Sequence, residues 1–317
     1  MKRFFVRMLF VLLWVITLAV LAFLLPPSPF EESSLEFSQI DKNKLLAQTP
    51  SPRIILVGGS NVPFGVDSQM IKDSLNLNPV NTGVNAVLGL KFMLRNVAQF
   101  VKPGDIVLLC PEYDQFYGSF ADGDSDLVLV LCDAVPQTAR LLDSKQLFHL
   151  IKYFPGYVRD KLNPFIYIKH FDIKRSTGTI DGVYYRNAFN KYGDNSLHRK
   201  FGHQKFAPYP TIEGELSFSV FKELETFRGQ VTARHASLFV TFPPYQDRSY
   251  DNSLSKIDAV EKGLKQRGFK LISRPKEFRF PDSLMFNAPY HLSGKGVVLY
   301  TNSLINELTH ALKTDNK

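Results

Sequence analysis

Cysteine and tryptophan are nearly missing: two cysteines and one tryptophan occur in 317 residues. Two cysteines cannot build a disulfide framework or a cysteine-rich zinc module. Cys110 and Cys132 each close an apolar run, DIVLLC and DLVLVLC. Two buried thiols are the first reading and a single bridge between them the second. The chain lacks a P-loop and a G-x-G-x-x-G phosphate fingerprint, and it has no internal repeat or low-complexity tract. His198 and His203 stand in a polar segment at a spacing that does not share a helix face, so no metal pair is expected there and no cofactor is implied. A basic stripe is also missing. The net charge of +8 splits into +3 from Lys2, Arg3 and Arg7 and +5 from residues 160–210, where nine Lys/Arg face four Asp/Glu. The rest of the chain is balanced, which argues against a nucleic-acid partner.

What is present is an ordinary globular composition, 44% hydrophobic and 21% charged, which excludes a disordered or collagen-like chain. The uncharged run Met8–Leu25 has 18 residues, enough to cross about 30 Å of hydrocarbon. Pro26 and Pro27 stop it. The cations before it and Glu31 and Glu32 after it predict a cytoplasmic N-terminus, with the remaining chain outside the cytoplasmic membrane. The absence of an A-x-A site favours an uncleaved anchor over a signal peptide cut after Ala22. Residues 1–27 are thus read as the anchor, 28–50 as a stalk or docking segment, and 51–317 as one α/β domain with a helical or irregular insertion at about 120–230.

Within that domain, RIILVGG from Arg53 reads as a buried strand feeding a tight turn. Short strands are expected at Pro79–Asn81, Asp105–Cys110, Ala236–Phe242 and Phe269–Ile272. Helices are expected at Ser68–Leu75, 86–101, 253–267 (Leu254, Ile257, Val260 and Leu264 inward) and 294–312 (Val297, Leu304, Ile305, Leu308 and Leu312 inward). Strands alternating with helices predict a mostly parallel sheet covered on both faces.

Ligands of such sheets sit at the carboxyl ends of the strands, and three segments bring reactive residues there. Gly58-Gly59-Ser60-Asn61 follows the first strand, where glycines permit a sharp turn that exposes the Ser60 hydroxyl; a plain turn with Ser60 as a cap is the structural alternative. Asn81-Thr82-Gly83-Val84-Asn85 offers the Gly83 N–H and the Asn85 amide as donors, or simply caps a helix with Asn85. His291, in Asn287–Ser293 before the last helix, stands where a general base toward Ser60 would come. Glu112 and Asp114 read as hydrogen-bonding groups of a strand-end loop. The aromatics of residues 160–210, among them Phe165, Tyr167, Tyr184, Tyr185, Tyr192 and Tyr209, either pack that insertion or line a groove for an anionic glycan.

GGSN, NTG and the late YHLS–G together resemble the SGNH/GDSL hydrolase superfamily. NTGVNAVLGLKFMLRNV, KPGDIVLLCPEYDQF and TFPPYQDRSY are similar to its membrane-anchored branch, which includes the D-alanyl-lipoteichoic acid transfer protein and alginate O-acetylation accessory proteins. The resemblance covers roughly 53–118 and 236–312. It implies a three-layer, flavodoxin-like fold with Ser60 as nucleophile, His291 as base and Gly83 as an oxyanion-hole donor. It also implies an O-acyl transferase or esterase acting on an acylated cell-surface glycan or polymer, with a multispanning membrane O-acyltransferase as the partner to seek. Two departures stand out. Pro111-Glu112-Tyr113-Asp114 replaces the family's third-block asparagine, leaving Asn85 as a substitute donor, and Asn287 stands where the histidine's aspartate is expected. Both also suit a non-catalytic accessory protein.

Overall fold

A computed structural model describes residues 1–168 and 180–315. The first element is helix α1 (Lys2–Leu24), long and apolar enough to cross a membrane or to serve as a signal sequence. Its last turn does not stand free, because Ala22 is buried and Phe23 packs on Phe154 and Tyr157 of the insertion.

Residues 28–50 dock; they do not form a stalk. Helix α2 (Ser38–Gln48) lies against the domain, with Leu35, Phe37 and Leu46 buried. The Lys42 ammonium, also buried, donates to the backbone carbonyls of Asn81 and Gly193 and lies over the Phe189 ring. Burial lowers its pKa to about 7, since a charge leaving water must be repaid by such partners.

The central sheet has four parallel strands, β1 (Arg53–Gly58), β2 (Asn78–Asn81), β3 (Ile106–Cys110) and β4 (Ser237–Val240), in the order β2-β1-β3-β4. Its apolar runs are buried as expected for parallel strands with both faces covered. Two helix pairs pack beside it: α3 (Ser68–Leu75) with the final α9 (Gly294–Asp315), and α4 (Leu90–Ala98) with α7 (Phe218–Ala233). Between α4 and α7 in sequence, α5 (Ser144–Leu150) and α6 (Phe154–Lys161) belong to the insertion, together with shorter turns of helix and irregular chain among the described residues. Helix α8 (Leu254–Gln266) buries Ile257, Val260 and Leu264. A second, two-stranded sheet pairs Tyr245–Gln246 with Arg279–Phe280. Both cysteines are free thiols, Cys110 buried and Cys132 half-buried.

Three expectations need correction. The helix over 86–101 is broken at Gly89, whose φ is +80° and whose missing Cβ admits the backbone of Ala121 and Gly123. Residues Phe269–Ile272 form no strand, only one bridge from Leu271 to Val240. At the start of this segment the Gly268 and Phe269 N–H groups go to the carbonyls of Lys265 and Leu264, closing the preceding helix instead of extending the sheet. Leu254 is exposed at the start of α8. On α9 the inward face is as expected: Val297, Leu304 and Leu308 are buried, and Ile305 and Leu312, half-buried, pack against the same core.

Candidate active site

Strand order places β1 between β2 and β3, with chain connections leaving toward opposite sides, so a crevice opens beyond the ends of β1 and β3. Ser60 sits in it. Directly after β1 the chain turns sharply: the Phe64 N–H donates to the Ser60 carbonyl and the Val66 N–H to that of Val62. Gly59 makes the turn possible, because a Cβ there would meet Glu112 Oε1 at 2.6 Å and Ala86 at 2.8 Å.

The loop before α9 brings in His291. Its Nε2 lies 2.9 Å from Ser60 Oγ, and its Nδ1 lies 2.9 Å from Asn287 Oδ1. The Asn287 amide nitrogen in turn donates to Tyr184 Oη at 2.7 Å. An amide oxygen only accepts, so Nδ1 carries the imidazole proton and Nε2 presents a lone pair to the Ser60 hydroxyl. Phe64 stacks on the ring at 4.1 Å between centroids. Burial holds this imidazole neutral, with its pKa lowered to about 3. Ser60 and His291 line a cleft of about 420 Å³, together with Phe30, Leu35 and Glu36 of the docked segment and Tyr184 and Tyr185 of the insertion.

The two donors expected for an oxyanion are engaged elsewhere. Gly83 N–H donates to Asn81 Oδ1 at 3.1 Å, and a Cβ at Gly83 would meet Gly59 O at 2.6 Å. Asn85 lines the cleft, but its amide donates to Asp126 Oδ2 at 3.0 Å and its oxygen caps the Val87 N–H. Burial first, then the charges of Glu36 and Asp124, lifts the Asp126 carboxyl to about 7.

Glu112, expected only as a hydrogen-bonding group of a strand-end loop, stands at the centre of the site. It follows β3, is buried, and places Oε1 3.0 Å from the Asn61 N–H and 3.2 Å from Ser60 Oγ. Burial raises its pKa to about 7, with the Asp114 charge adding to the shift and only neutral N–H and O–H groups opposing it. The signal was a carboxylate two residues beyond a wholly apolar strand, held close by Pro111.

The remaining candidates fall apart. His198 is buried against Phe64 and Phe286, away from His203, which meets the Met285 carbonyl. Among the described residues no group of three or more His, Cys, Asp or Glu is arranged to hold a metal ion. Of the aromatics considered for a glycan groove, Tyr184 and Tyr185 line the Ser60 cleft, Phe165 is exposed and Tyr167 reaches back to the Pro26 carbonyl. The stretch 169–179 of that groove lies outside the described residues. Comparison with known proteins finds no family model that matches the chain and no match among curated proteins.

Proposed function

We propose that this chain is a membrane-anchored serine O-acyl transferase or esterase of the SGNH type, acting on an acylated cell-surface polymer outside the cytoplasmic membrane. The observation that carries the proposal is the row of hydrogen bonds from Ser60 through His291 to Asn287 at the strand ends of a parallel sheet. In the reaction, Ser60 Oγ bonds to the acyl carbon while its proton passes to His291 Nε2 and the carbonyl electron pair moves onto oxygen. Collapse expels the alcohol or thiol, which takes that proton back, and leaves the acyl group on Ser60. Water or a polymer hydroxyl then receives it by the reverse path. The cleft beside Ser60 is walled by Phe30–Glu36, only a few residues beyond α1, which supports a substrate met close to the membrane and a multispanning O-acyltransferase as partner.

A second reading has its own support. Asn287 cannot stabilise an imidazolium as a carboxylate does, and both expected oxyanion donors are occupied. Those features favour a non-catalytic accessory protein. A serine-reactive fluorophosphonate separates the two. Wild type should be labelled on Ser60, and Ser60→Ala should lose labelling by at least roughly 10³-fold. Equal labelling of both proteins, or none of either, removes the catalytic reading.

A further inference from the structure

We propose that the Glu112 carboxyl is a proton-operated block on the oxyanion site, so that Ser60 reacts when Glu112 is neutral and is shut when it is ionised. This rests on Ser60 being the nucleophile. The N–H groups at and just after a nucleophile are the ones placed to receive the developing oxyanion. Here the Asn61 N–H already donates to Glu112 Oε1 at 3.0 Å. The seat is built for it: Gly59 has no side chain where Oε1 lies, and a Cβ there would stand 2.6 Å away.

The same carboxyl competes for the nucleophile's proton. Ser60 has one hydroxyl hydrogen and two acceptors, His291 Nε2 at 2.9 Å and Glu112 Oε1 at 3.2 Å. An ionised Glu112 draws that hydrogen away from the base, holds the Asn61 N–H by a charge-assisted bond, and repels any oxyanion entering beside it. A neutral Glu112 loosens its hold on that N–H and carries a proton it can donate to the same oxygen, replacing the donor that Gly83 and Asn85 do not supply. Glu112 as the general base is the poorer reading by distance, since Ser60 Oγ lies nearer to His291 Nε2 than to Glu112 Oε1.

Four of the groups facing Glu112 titrate elsewhere. Burial raises Cys110 to about 12 and Tyr209 to about 12, keeps Tyr290 protonated, and keeps His291 neutral above about 3. Asp114, whose pKa burial also raises, accepts the Tyr290 hydroxyl. Asp126, near 7, belongs to the Asn85 and Glu36 wall, so a variant is needed to assign the pH effect.

The test measures the rate of fluorophosphonate labelling at Ser60 in the full-length protein from about pH 6 to about pH 8. A group titrating near 7 changes its neutral fraction about tenfold over that window. Wild type should therefore slow about tenfold as pH rises, opposite to an ordinary serine–histidine pair. Glu112→Gln, which cannot ionise, should label at one rate from pH 6 to pH 8. A wild-type rate that is flat or rises with pH, or a Glu112→Gln profile that still falls, overturns the block while leaving Ser60 as nucleophile. Absence of Ser60 labelling in both proteins instead removes the nucleophile itself. Difference infrared spectroscopy of wild type against Glu112→Gln reads the carboxyl without any chemistry at Ser60. It should show a protonated-acid band that disappears near pH 7, and its absence at pH 6 refutes the block.

Discussion

Strands β1 and β3 lie side by side, and each end of the pair holds a buried carboxyl group. At the amino ends, Asp105 takes a two-pronged ion pair from Arg53, 2.7 Å to Nε and 2.9 Å to Nη2, and the Lys102 N–H at 2.7 Å. The guanidinium is completed by the Leu46 and Phe100 carbonyls, so every strong donor and acceptor is matched. At the carboxyl ends, Glu112 is as deeply placed, yet the groups that stabilise its charge are neutral. One end spends its charge on fastening the docked segment 28–50 to the sheet. The other holds a charge whose cost remains outstanding, and it does so beside the only residues arranged for nucleophilic chemistry among those the sequence pointed to. Matched burial is architecture, and mismatched burial marks where a proton or a ligand changes the state.

Converting each carboxyl to its amide tests this directly, and the two effects should have opposite signs. Asp105→Asn leaves Arg53 buried without its counter-charge and should cost about 3–5 kcal/mol in urea unfolding. For Glu112 the sign follows from linkage. Its pKa is about 7 in the fold against an ordinary 4.5. The unfolded chain therefore releases its proton first, folding is penalised above about pH 7, and the penalty fades as pH falls toward 4.5. Glu112→Gln should accordingly raise stability by about 3 kcal/mol at pH 8 and change little near pH 4.5. Equal destabilisation by both amides would erase the distinction between the two ends.

The contrast also explains which parts of the molecule were legible in the sequence. Apolar runs bounded by glycine or proline located β1, β3 and the helix Ser68–Leu75, because buried parallel strands and capped helices obey local patterns. Asp67 caps that helix through the Gln69 and Met70 N–H groups, and Asn76 closes it in a left-handed conformation. Ser60, His291 and Asn287 stood at loop positions that the strand order brings together. What failed was anything fixed by partners far along the chain. Lys42 reads as a solvated lysine until Gly193, distant in sequence, supplies its carbonyl. Glu112 reads as a loop acid until the turn after β1 closes over it. The helix break at Gly89 depends on the backbone of residues 121–123 passing against it.

A smaller effect is expected from placing a second carboxylate at the carboxyl ends, this time with a partner able to become charged. In Asn287→Asp the new oxygen would take the His291 Nδ1–H that the amide oxygen accepts at 2.9 Å. Tyr184 would turn from acceptor to donor, which a hydroxyl can do. The carboxylate stabilises the imidazolium formed as Ser60 loses its proton, so labelling and ester hydrolysis should rise several-fold or more. A folded Asn287→Asp protein no faster than wild type would show that His291 does not become charged during the reaction.

The smallest effect tests whether the neutral amide is itself held in place. Asn287 can serve His291 only with its oxygen toward Nδ1, and the hydrogen bond from its nitrogen to Tyr184 Oη, at 2.7 Å, selects that orientation. Tyr184→Phe removes the acceptor and lets the amide turn over, presenting N–H to N–H. One such bond is worth about 0.5–1.5 kcal/mol, so the labelling rate should fall about two- to tenfold. Stability should hardly move, because Tyr184 is partly exposed, at 40%. The loss should also vanish in the Asn287→Asp background, where both oxygens accept and no orientation has to be chosen. If Tyr184→Phe slows that variant as much as wild type, the tyrosine acts by shaping the cleft and the row of oriented groups ends at Asn287.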